Sequence, residues 1–101
     1  MNTIQEIAAD IARELRDDPA RWTQAAYARD HRGYPIQHDA KTACTWCLMG
    51  HVKKRVTPHE EVVTSLYLLR NAIGTSTAEW NDVHDRTVQE VVELCDRIAA
   101  T

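Results

Sequence analysis

Gln24-Ala-Ala-Tyr-Ala-Arg-Asp-His-Arg-Gly-Tyr-Pro-Ile-Gln37 is the stretch where the helical period of this chain fails, and its reading decides the fold. On either side of it apolar residues recur every three or four positions; within it they do not. Asp30-His31-Arg32-Gly33 has turn chemistry, with a glycine free to take positive φ. A small hairpin is expected, Ala25 to Arg29 against Tyr34 to Gln37. Pro35 has no N–H to donate, which confines the second arm to a sheet edge.

Working outward, the rest reads as helix. Toward the N-terminus, Ile4, Ile7, Ala8, Ile11, Ala12 and Leu15 form one apolar stripe behind a Thr3-x-x-Glu6 capping signal, predicting a helix over about residues 4 to 16. Asp17-Asp18-Pro19 ends it, because proline disfavours helix at the residue before it. Toward the C-terminus, Asp39 is expected to cap a helix carrying Ala40, Ala43, Cys44, Cys47, Leu48 and Val52 on one face and ending in Lys53-Lys54-Arg55. Those three cations read as a solvated helix end. Thr57-Pro58-His59-Glu60 opens a further helix through Val62, Val63, Leu66, Leu69 and Ile73, with Gly74 as its C-terminal cap. Ser76-x-x-Glu79 starts a short helical turn bearing Trp80-Asn81-Asp82, and Thr87-x-x-Glu90 starts a last helix through Val88, Val91, Val92, Cys95 and Ile98. The expected fold is mainly α, with four to five helices and one small β-hairpin near residues 24–37, in a single compact domain.

Composition narrows the function classes. At 101 residues and 11.5 kDa the chain supports one modest core and no second domain. A net charge of −3 leaves no basic surface to displace counterions from nucleic acid, so no nucleic-acid partner is expected. The N-terminal residues show neither the apolar core of a leader nor a spanning segment, pointing to a cytoplasmic protein without a membrane partner. Three cysteines are too few for a disulfide scaffold and fit a reducing compartment. No cofactor fingerprint is present, and none is expected to bind.

The residues able to do chemistry cluster around the tryptophans: Trp22 ahead of Tyr27, Arg29 and Asp30; Trp46 beside Cys47; Trp80 beside Asn81, Asp82 and Arg86. Guanidinium, amide and carboxylate groups beside indole faces suit a pocket in which Arg grips phosphate or carboxylate and Trp stacks on a planar ring. Each group also has a plainer reading: Arg29-Asp30 as a surface pair and turn former, Asn81 and Asp82 as binders of local backbone, Arg86 as part of a helix cap. Cys44-x-x-Cys47 with His51 one turn on offers three zinc ligands, yet no second close-spaced pair accompanies them, and two small core cysteines explain the spacing more simply. Cys47 is the one candidate nucleophile, should a histidine reach it.

In order, the blocks Ala28-Arg29-Asp30, Trp46-Cys47-Leu48-Met49-Gly50 and Trp80-Asn81-Asp82, with Arg86-Thr87 and Val91 behind them, resemble a domain-of-unknown-function family of small proteins from actinobacteria, other bacteria and their phages. The likeness spans roughly residues 20 to 98. It implies a map of positions and no mechanism, and of the cysteines it takes in Cys47 alone. Small phage-type proteins of this kind suggest a non-enzymatic module that binds or sequesters something. The expected partner is a nucleotide-like or other small anionic ligand held by Trp22, Tyr27, Arg29, Asp30, Trp46, Cys47, Trp80, Asn81, Asp82 and Arg86. The alternatives are a protein-interaction module, as a homodimer or an inhibitor of a host protein, and a small cysteine-dependent hydrolase.

Overall fold

The first helix, α1 (Ile4–Asp17), forms where its stripe predicts, and Ile7, Ala8, Ile11, Ala12 and Leu15 are all buried. The structure, a computed structural model, describes residues 3–56 and 69–101. Thr3 caps α1 by accepting the Glu6 amide, and the helix stops at Asp17, after which Asp18 caps a single 3-10 turn, Pro19–Arg21. At the other end of the chain α5 (Val88–Ala99) buries Val91, Val92, Leu94, Cys95 and Ile98 against that stripe. Its N-terminus carries the full reciprocal capping box between Thr87 and Glu90. Each large aliphatic side chain in this seam contributes about 1.5–3 kcal/mol of burial. Together α1 and α5 supply most of the core.

The hairpin forms as β1 (Ala28–Arg29) and β2 (Pro35–Ile36), antiparallel, with Ala28 opposite Ile36 and Arg29 opposite Pro35. Asp30 shapes the turn by accepting the amides of Arg32 and Tyr34, and Gly33 takes φ +85°. β2 lies at the sheet edge, where proline costs no ladder bond.

The segment after the hairpin differs from expectation. Asp39 does not begin a helix; residues 39–44 turn, Thr45–Trp46 form a third strand, β3, paired antiparallel with β1, and α2 spans only Leu48–Lys53. Ala40, Ala43, Cys44, Cys47 and Leu48 have helical spacing, but tertiary pairing outweighs so weak a local preference. Trp46 is held from three sides: its carbonyl accepts from Thr23, its indole N–H donates to the His38 carbonyl at 2.9 Å, and its backbone bridges to Trp22. A helix through Trp46 would surrender all of these. Cys47 instead becomes the cap of α2, its sulfur accepting the Gly50 amide at 3.3 Å. Gly50 is required here, since a Cβ at that position would stand 2.1 Å from the Tyr27 carbonyl oxygen.

Residues 69–73 are helical, α3, and end at Gly74 with φ +77°. The box Thr57-Pro58-His59-Glu60 and the positions Val62, Val63 and Leu66 lie outside the described residues. The short α4 (Thr77–Asn81) starts on Ser76, which accepts the Glu79 amide. The result is a mainly helical fold with one small antiparallel sheet, and no helix among the described residues is long and apolar enough to cross a membrane.

Candidate functional site

The hairpin's leading loop, the start of α2 and the end of α4 meet at Asn81, which is fully buried. Its Oδ1 accepts the Trp22 indole N–H at 2.7 Å and the Leu48 amide at 3.0 Å, the latter one of the orphan donors at the N-terminus of α2. Its Nδ2 donates to the Thr23 carbonyl at 3.1 Å and to Asp82 Oδ1 at 2.9 Å. Two donors and two acceptor positions are all an amide has, so Asn81 has no capacity left for a ligand. Asp82 Oδ1 also accepts the amide of Ala25, a residue held at φ +63°, and Gln24 adds bonds to the carbonyls of Asn81 and Val83 at 2.8 Å each. The blocks singled out in the sequence thus come together around a joint whose polar atoms are spent on the protein itself.

The indoles are closed in the same way. Trp46 is buried between cations, with Lys54 Nζ 3.5 Å and the Arg21 guanidinium 5.1 Å from its ring centroid. Trp22 and Trp80 are half-buried against the core. The Arg86 guanidinium stands 4.0 Å from the Trp80 ring centroid, donates to the Trp80 carbonyl and reaches Glu90.

A second polar centre, which the sequence did not single out, joins α1 to α2. Glu14 receives Lys54 Nζ at 2.9 Å and Arg55 Nη2 at 2.7 Å, and Arg55 also binds Asp10 at 2.8 Å. Lys54 and Arg55 are therefore partly buried ion-pair partners and not the solvated helix end expected of Lys53-Lys54-Arg55. The signal was there: Asp10 and Glu14, four apart, present two carboxylates on one face of α1. Arg21 Nε stands 3.2 Å from Glu14 but off the line of a hydrogen bond, leaving it without a bonded partner among the described residues. Burial raises the Glu14 carboxyl, but Lys54, His51 and Arg55 outweigh it and hold it below its ordinary value. His51 is fully buried at this centre; its Nε2–H donates to the Arg21 carbonyl at 3.0 Å and its Nδ1 accepts from Arg55 at 3.2 Å. Burial, reinforced by Lys54 and Arg55, pushes its pKa down to about 3.

These bonds place His51 away from the cysteines. Burial raises the Cys47 thiol, a charge state suited to a cap and opposed to a nucleophile. Cys44 lies in the loop before β3, its thiol directed to the Arg29 carbonyl at 3.6 Å. Among the described residues no three His, Cys, Asp or Glu side chains are grouped to hold a metal ion, and Cys44, Cys47 and His51 do not share a helix face.

Two of the clefts on the surface take in polar residues singled out in the sequence. One cleft, of about 440 Å³, runs between the Pro19–Arg21 turn and the hairpin and is lined by Arg21, Thr23, Arg29, His31, Cys44 and Thr45 with Asp18 and Asp30. Arg29 is fixed there by Nε to Thr23 Oγ1 at 3.0 Å, Nη1 to the Gly33 carbonyl at 2.9 Å and Nη2 to the Gln24 carbonyl at 3.0 Å. Three of its five donors are used, so two remain. Thr45 Oγ1 is buried there without a partner among the described residues. The other cleft, about 280 Å³, takes in Tyr27, Cys47 and Asp82. Of the ten residues expected to share one pocket, Arg29 and Asp30 therefore line one cleft, Tyr27, Cys47 and Asp82 another, and the rest neither. No curated protein and no solved structure matches the chain. The sequence model of one family does match, and over residues 1–101 the chain belongs to this family of unknown function, DUF6197.

Proposed function

We propose that the protein is a small non-enzymatic binding module that takes an anionic ligand, phosphate- or carboxylate-bearing, in the cleft between the Pro19–Arg21 turn and the hairpin. The observation that carries this reading is Arg29: a guanidinium locked by three hydrogen bonds to the loops that form the cleft, with two N–H groups unspent. A preorganised fork loses little entropy on meeting an oxyanion. Arg21 and Thr45, whose buried hydroxyl has no partner among the described residues, line the same cleft. A nucleotide-like ligand would be gripped by its phosphates, since no tryptophan is among the residues that line this cleft.

Isothermal titration with a nucleoside diphosphate and with pyrophosphate tests the reading. Binding that weakens with salt and falls about tenfold in Arg21→Gln, the loss of one charge-assisted contact, supports it. No heat with either anion, or equal affinity in the variant, overturns it.

Exposed Tyr27 and Tyr34, 48% and 62% accessible, favour a second reading as a protein-interaction module, self-associating or acting on a host protein. A concentration-dependent dimer that Tyr34→Ser disperses would favour it over the ligand.

A further inference from the structure

The smaller cleft is unlike the first in its chemistry. Tyr27, Cys47, Met49 and Ala78 wall it with ring, thioether and methyl carbon, and the single carboxylate among its lining residues is Asp82. Cys47 adds no negative charge, because burial, reinforced by Asp82, keeps its thiol protonated. Asp82 spends Oδ1 on the Ala25 amide and on Asn81, while its Oδ2 accepts from none of the described residues. Every ion pair among the described residues lies elsewhere, so this carboxylate is not neutralised by them. The neighbouring cation, Lys53, stands over the Tyr27 ring at 4.1 Å without forming an ion pair to Asp82.

An anchored carboxylate beside an apolar wall is matched by a molecule with a hydrocarbon stem and a positive end. We infer that this cleft is a binding site for a small amphipathic amine, an alkylammonium with its carbon chain along Met49 and Ala78 and its ammonium on Asp82. The volume of about 280 Å³ is at the small end for ligand pockets and suits a short stem of roughly five carbons. The site is independent of the cleft proposed for the anion, with which it shares no lining residue. Binding of the amine therefore stands or falls separately from binding of the diphosphate.

The test is a titration of the isotope-labelled full chain with pentylamine, pentanol and pentanoate, followed by amide chemical shifts. Pentylamine is expected to move the amides of Tyr27, Cys47, Met49 and Ala78 and to bind at least tenfold more tightly than pentanol, with pentanoate weaker still. Asp82→Asn keeps an Oδ1 for Ala25 and Asn81 and removes only the charge; it should cut amine affinity about tenfold and leave pentanol unchanged. Ala78→Leu, on an exposed face of α4, should block all three by filling the cleft. Equal binding of amine and alcohol to the unmodified chain, or shifts confined to other residues, would overturn the assignment whatever the variants do.

Discussion

The molecule is tied together at two polar joints built on opposite plans. At Asn81 a neutral amide spends all its hydrogen-bonding capacity on four groups from three segments, and no charge is buried. At Glu14 a carboxylate, two cations and a neutral histidine are packed between α1 and α2, with Arg21 Nε left unbonded. The amide joint depends on the geometry of a group that carries no charge. The ionic joint depends on protonation, because the desolvation of each charge is offset only while its partners stay charged. The contrast separates a fixed junction of three segments from a seam whose strength the solvent can change.

The largest effect should come from breaking the amide joint. Asn81→Leu keeps the branching at Cγ but strands the Trp22 indole N–H, the Leu48 amide and the Thr23 carbonyl in a buried setting, each orphan costing about 1–3 kcal/mol. A loss of about 4 kcal/mol in chemical denaturation is expected, enough to unfold a domain of marginal stability. Asn81→Asp sharpens the point. It places an acceptor opposite the Thr23 carbonyl and Asp82 at neutral pH, and acidification should partly restore it as the new carboxyl gains a proton to donate. If Asn81→Leu costs under about 1 kcal/mol, the joint is not structural and its amide becomes available for a ligand again.

Some of this was legible in the chain and some was not. The stripes of α1 and α5 and the boxes at Thr3, Ser76 and Thr87 are local signals, and the structure follows each of them. The hairpin was equally readable, since Asp30, Gly33 and Pro35 each act within a few residues of themselves. β3 was not, because two residues carry no period of their own and the partners that make a strand of Trp46 lie in β1 and beside Trp22. For the site, sequence identified Asn81 and Asp82 as polar groups that would meet the tryptophans. Whether they serve a ligand or the fold depends on partners 33 to 59 residues away, which no spacing rule reaches. Glu14 carried no signal for the same reason, and His51, read beside Cys44 and Cys47 as a conceivable zinc ligand, finds its partners instead in Arg21 and Arg55.

The ionic joint supplies the next largest effect. Above pH 6.5 His51 is neutral both folded and unfolded, so it makes no pH-dependent contribution there. Below that the unfolded chain binds a proton which the folded chain, with its pKa near 3, refuses, and stability falls as pH falls. At about 1.4 kcal/mol per pH unit, the loss between pH 7 and pH 5 should be about 2 kcal/mol. Glu14 acts lower: its folded pKa lies under the ordinary 4.5, so its contribution is complete above that value and is lost only on further acidification. Denaturation midpoints at pH 7, 6 and 5 measure the histidine window by itself. His51→Gln should flatten it, whatever its effect on the midpoint at pH 7, and a slope that survives the substitution would place the sensitivity outside this joint.

The smallest effect tests how far the amide joint extends. Ala25 sits at φ +63°, a conformation that costs an L side chain about 1–2 kcal/mol, and it stays there because Asp82 Oδ1 holds its amide while Asn81 holds Asp82. Glycine adopts that φ freely but loses more backbone entropy on folding, so the two terms oppose each other. Relief of a left-handed alanine is the larger, and Ala25→Gly should raise stability by about 0.5–1 kcal/mol. In the background of Asp82→Ala the acceptor of the Ala25 amide is gone and the loop has no reason to keep that φ. The gain should shrink there, and the difference between the two backgrounds measures the coupling directly. An undiminished gain would show that the loop holds its own shape, and that the joint ends at Asn81.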